Sequence, residues 1–112
     1  MIISKVNDTS IVDTPHKMDV RRLYDKESAQ VVHMLLKPGQ SLKPHITPVD
    51  VFFYVLEGTP DIMVGDETVT VEPDCLIDSP KDIIHCIYNN SDKDIRVLVV
   101  KAPRPVAKTK VL

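Results

Sequence analysis

The side chains in this sequence that could do chemistry are four histidines, two cysteines and a few acids set in or beside apolar runs. His45 and Thr47 stand two residues apart. In an extended strand that spacing puts two side chains on one face, so an imidazole and a hydroxyl would point together. Imidazole serves divalent transition metals, whereas a neutral hydroxyl is a poor ligand for such an ion. His85 is followed by Cys86, which alternation turns to the other face, so a cysteine and histidine acting on one atom are not expected. His33 lies within VVHMLL, shares parity with Val31 and Leu35, and is expected to be a packed or half-exposed strand residue. His16 follows Pro15 in a turn-like stretch and is expected at the surface. Asp78 interrupts the apolar run CLIDS; a buried aspartate must be paired, and an edge position facing water is the expectation. Cys75 and Cys86 fit no CxxC spacing and are expected to be reduced and buried.

The elements that must position these groups are short strands. From Ala29 onward, β-branched and aromatic runs alternate with turn residues: AQVVHMLLK before Pro38 and Gly39, VFFYVLE before Gly58, DIMV before Gly65, ETVTVE before Pro73, CLIDS before Pro80, IHCIYN before Asn90, and DIRVLVVK. No stretch of helix length carries a 3.6-residue period, so the pattern is that of an all-β sandwich or barrel. In ETVTVE only one face needs covering. VFFYVL is apolar at both parities: Val51, Phe53 and Val55 would line an interior, while Phe52, Tyr54 and Leu56 would need a lid. KMDVRRLY, before this region, has the character of an edge strand.

Two stretches carry a recognisable frame. In PGQSLKPHITPVDVFFYVLEG, Gly39, His45 and Gly58 keep a spacing of glycine, histidine and closing glycine; in DSPKDIIHCIYNN, Pro80, Asp82, His85 and Asn89 keep a second. Together they resemble the two signature motifs of the cupins, over roughly residues 29 to 101. The family pattern has a second histidine where Thr47 stands, a glutamate at Val51, and glycines at Asp82 and Asp74. The resemblance implies an all-β double-stranded β-helix, a jelly-roll barrel, with His45 and His85 turned toward one pocket. It further implies a metal site reduced to His45 and His85, holding Fe, Mn, Ni or Zn at reduced affinity, with His45, Thr47 and His85 as ligand-binding residues. Asp50, one residue before Val51, is the candidate replacement carboxylate. Alternation points it away unless a bulge near Pro48 turns it inward, and a surface position is the expectation. Asn89 would fix the turn after the His85 strand.

At 112 residues the chain is expected to be one domain, with residues 1–28 as an N-terminal arm or edge strand, 29–101 as the cupin core and 102–112 as a basic tail. Hydrophobic residues at 43% and charged residues at 27% fit a globular protein, and a net charge of -2 argues against nucleic acid as a partner. The start of the sequence has no long apolar run, so no membrane contact is expected and the cytoplasm is the default location. The outward row Phe52, Tyr54 and Leu56 leads to the expectation of a homodimer. No nucleotide loop, nucleophile elbow or paired-carboxylate motif is present. Two functions stay open: a metal-dependent oxygenase, isomerase or decarboxylase acting on a small polar molecule, and a metal-free small-molecule binding or sensor module.

Overall fold

The computed structural model describes residues 1–106 and 110–111. Its elements are a 3-10 turn at Val6–Asp8 and ten strands: β1 (Asp19–Lys26), β2 (Ala29–Leu36), β3 (His45–Ile46), β4 (Asp50–Glu57), β5 (Asp61–Val64), β6 (Glu67–Thr70), β7 (Leu76–Ser79), β8 (His85–Tyr88), β9 (Ile95–Ala102) and β10 (Lys110–Val111). They form two antiparallel five-stranded sheets, ordered β1-β2-β9-β4-β7 and β10-β3-β8-β5-β6. This is the expected double-stranded β-helix. Among the described residues no helix is long and apolar enough to cross a membrane.

Period-two patterning builds the core. Val51, Phe53 and Val55 of β4 are buried, as are Val32, Met34 and Leu36 of β2 and Ile95, Val97 and Val99 of β9. The intervening residues Phe52, Tyr54 and Leu56 are half-buried on the outer face of that sheet, beside Leu98 and Val100. The single covered face expected for ETVTVE does not form along β6. All four β6 residues are exposed, Val69 at 55%, because β6 is an edge strand, and only Val71 beyond it packs on the core.

The turns explain which frame residues survived. Gly58 has φ +84°, and a Cβ there would lie 2.7 Å from the Asp94 carbonyl oxygen, so conformation and close approach both require glycine. Asp74 and Asp82 replace family glycines yet keep left-handed backbones, with φ of 64° and 63°. Aspartate tolerates that region better than most residues, so the turns persist. Asn89 does fix its turn. Its amide donates to the carbonyls of Leu36 (2.9 Å) and Lys93 (2.7 Å), and its oxygen accepts from Ser91 N–H at 3.0 Å.

Parts of both terminal regions pair with the barrel. β1 pairs along β2 within its own sheet, giving the N-terminal region its edge strand. The basic end is no loose tail: the Arg104 guanidinium lies 3.2 Å from Asp25, and β10 pairs with β3; Lys108 lies outside the described residues. Both cysteines are free, but Cys75 is exposed rather than buried, because it sits in the turn leading into β7.

Candidate functional site

β3 and β8 are neighbours, and their register sets His45 opposite His85. The rings meet edge to face with centroids 4.4 Å apart, and the two Nε2 atoms are 3.0 Å apart. Both side chains are buried. His45 Nδ1 lies 2.7 Å from the Lys43 carbonyl, which can only accept, so the neutral ring carries its proton on Nδ1 and aims the Nε2 lone pair at His85. His85 Nε2 then donates, and its Nδ1 accepts from the Ser79 hydroxyl at 2.6 Å. Thr47 Oγ1, also buried, lies 3.3 Å from His85 Nε2 and completes the cluster.

Local chain geometry holds these groups. The segment Pro80–Ile84 carries the chain from β7 in one sheet to β8 in the other, so the Ser79–His85 hydrogen bond bridges the sheets. Its left-handed residue Asp82 donates its N–H to the Thr47 carbonyl at 3.0 Å. Asp50 pins the same turn, accepting the Lys81 N–H at 3.0 Å; it is exposed and does not turn inward, so it is no third ligand. Val51 packs in the core at 2% exposure. Asp78 is exposed, and His33 is buried with Nε2 accepting from Arg96 Nε–H at 3.0 Å, both away from the cluster.

Two contributors were not apparent from the sequence. Ser79 ends the CLIDS run, where Asp78 drew attention, although alternation alone places Ser79 on the face opposite Asp78. His16 is not a surface residue. It is half-buried, its ring lies tilted against that of His45 with centroids 4.8 Å apart, and its Nδ1 accepts the Lys43 N–H at 3.0 Å. Lys43 therefore holds two imidazoles by its backbone, a contact spanning 27 residues that leaves no local sequence signal.

Burial dominates the electrostatics. Desolvation, with the charge of His45 next, pushes His85 down to about 3. His16 is lowered to about 4 by the same two causes. His45 is lowered by burial, opposed by its bond to the Lys43 carbonyl. All three rings are therefore neutral at pH 7. They line a cavity of about 160 Å³ with an apolar floor that includes Leu42, Phe53 and Val99.

The donor set can be tested against a divalent metal. Nitrogens 3.0 Å apart suit two cis ligands with bonds of about 2.1 Å. Nearby stand the neutral hydroxyls of Thr47 and Ser79, apolar Val51 and the His16 ring, whose Nδ1 is taken by the Lys43 N–H, and among the described residues no group of three His, Cys, Asp or Glu could hold an ion. Among the described residues that line the cavity there is no aspartate or glutamate to balance an added cation. These residues do not fit a tightly held resident metal.

The family described as Cupin domain matches residues 32–101. None of the curated proteins matches the chain. Among solved structures, TT1209 from Thermus thermophilus is 30% identical, with 94% of this chain and 100% of that one covered and a TM-score of 0.80. The polyketide cyclase RemF from Streptomyces resistomycificus is 24% identical, with 100% and 85% covered and a TM-score of 0.84. KdgF from Halomonas sp. is 16% identical, with 95% and 96% covered and a TM-score of 0.82. The last two show the fold alone. With its barrel, its paired motif histidines and a family match over most of its length, the chain belongs to the cupins.

Proposed function

We propose that this cupin recognises a small polar molecule in its barrel pocket through His45, His85 and Thr47, without depending on a resident metal. The observation that carries this reading is the buried Nε2–Nε2 contact of 3.0 Å at the wall of the cavity. With the Ser79 hydroxyl donating to its Nδ1, His85 keeps the N–H on Nε2, the atom that faces His45 and Thr47. A few convergent polar groups over an apolar floor are what a small-molecule site requires. Elemental analysis of protein purified without a tag or added metal tests it. The expected result is far less than one Fe, Mn, Ni or Zn per chain. A stoichiometric ion that His45→Ala removes would select the metal-dependent oxygenase, isomerase or decarboxylase instead.

The same reading includes a homodimer. Phe52, Tyr54 and Leu56 remain half-exposed on the outer sheet face, and Met1, Ile2 and Ile3 project with exposures of at least 82%. A second copy would cover both. Removing apolar surface from water contributes roughly 25 cal/mol per Å², several kcal/mol for three large side chains before association costs. Phe52→Glu is expected to shift a dimer toward monomer in light scattering. A monomeric unmodified protein at micromolar concentration would overturn the assignment.

A further inference from the structure

The outer face that carries Phe52, Tyr54 and Leu56 runs on into an apolar groove at the edge of its sheet. Phe52 and Tyr54 of β4 are in register with Asp78 and Leu76 of β7, the last strand of that sheet. Beyond β7, Leu76 and Ile77 line a groove with Ile62 and Val64 of β5, Val69 of β6 and Val71. Leu76 is 56% exposed, and β6 is in turn the last strand of the other sheet. An apolar groove open between two edge strands is the kind of surface that an extended segment of another chain covers.

The groove is acidic as well as apolar. Glu67 and Asp78 line it, and from residue 57 to residue 80 the chain has no lysine or arginine. Its complement is a short apolar segment followed by a cation. The N-terminal arm has that sequence: Met1, Ile2 and Ile3 project into water, and Lys5 follows them. The arm also leaves the barrel from the same sheet face. Lys5 and Val6 line a cavity with His33 and Leu35 of β2 and Arg96 of β9, and the Arg21 guanidinium donates to the Val6 carbonyl at 3.0 Å. On the two sides of β4 stand β9 with β2 and, opposite them, β7. A two-fold axis along the Phe52, Tyr54 and Leu56 row therefore sets β9 and β2 of one copy against the β7 edge of the other, which brings each arm to the other copy's groove.

We infer that two copies of this chain exchange N-terminal arms, Met1–Ile3 of each packing in the groove beside β7 of the other, with Lys5 facing Glu67 and Asp78. This rests on the homodimer reading above and adds the segment that closes the interface.

Cys75, exposed and next to Leu76, serves as a reporter. Treated with oxidised glutathione, Ile3→Cys is expected to give a disulfide-linked dimer that a further Cys75→Ser change abolishes. In sedimentation equilibrium, Ile3→Asp and Leu76→Asp should each weaken the dimer about tenfold or more, and Ile3→Lys less, because only aspartate adds charge of the groove's own sign. Ile3 and Leu76 are exposed, so these variants keep the fold. A dimer that Phe52→Glu weakens and Ile3→Asp leaves unchanged would overturn the exchange while leaving the homodimer in place. So would an Ile3→Cys disulfide that forms within one chain or survives Cys75→Ser. A monomeric unmodified protein would overturn both readings.

Discussion

Replacing Thr47 with His and Val51 with Glu together is expected to raise the affinity for Zn²⁺ or Ni²⁺ by about a hundredfold or more. The two existing imidazoles already stand at the separation of cis ligands, 3.0 Å. What the two motif histidines lack is a third ligand from their own strands and a negative charge, and the double substitution supplies both. Val51 has Ser79 and Lys101 as its register partners, so a glutamate there would start beside the hydrogen-bond partner of His85 and opposite a cation. Without metal, a carboxylate in the core costs stability, and bound metal should restore it. Titration calorimetry and the melting temperature with and without Zn²⁺ check this. Unchanged affinity in a folded double variant would mean that the pocket no longer has the geometry that its histidines suggest.

The second large effect is acid destabilisation in a defined window. His85 falls from 6.5 to about 3 on folding, and His16 to about 4. Between those values and 6.5 the unfolded chain binds protons that the folded one refuses, so stability rises with pH and is lost as pH falls below about 6.5. At about 1.4 kcal/mol per pH unit and group, His85 alone removes roughly 2 to 3 kcal/mol between pH 6.5 and 4.5. The three rings touch and titrate as a coupled set. The lowered carboxyls of Asp13, Asp25 and Asp61 act differently, because their contribution is lost only below about their ordinary value of 3.8. Urea melts at a series of pH values should therefore show the loss well above pH 4, and His85→Gln should flatten it. A stability profile that stays level from pH 7 to 5 would contradict neutral burial of these rings.

The parts legible in the sequence were those governed by short-range rules. Period-two alternation placed Val51, Phe53 and Val55 inside, and the two turn-bounded frames hold the His45 and His85 that meet on neighbouring strands. Asp82 and Asp74 kept their turns because backbone conformation, not glycine itself, is what those positions need. Long-range contacts were not legible. His16 reaches the site through the Lys43 backbone, a contact between residues 27 apart in the chain. Ser79 was hidden by Asp78, the more conspicuous residue, although alternation separates their faces. Cys75 was misplaced because its turn exposes a side chain that composition alone would bury.

The most direct test is long-range ¹H–¹⁵N NMR of the imidazoles at pH 7, before and after EDTA. The account predicts neutral rings, His45 protonated at Nδ1 with its Nε2 accepting from His85, and no change on adding the chelator. Metal-shifted Nε2 signals from both histidines that EDTA reverses would contradict it.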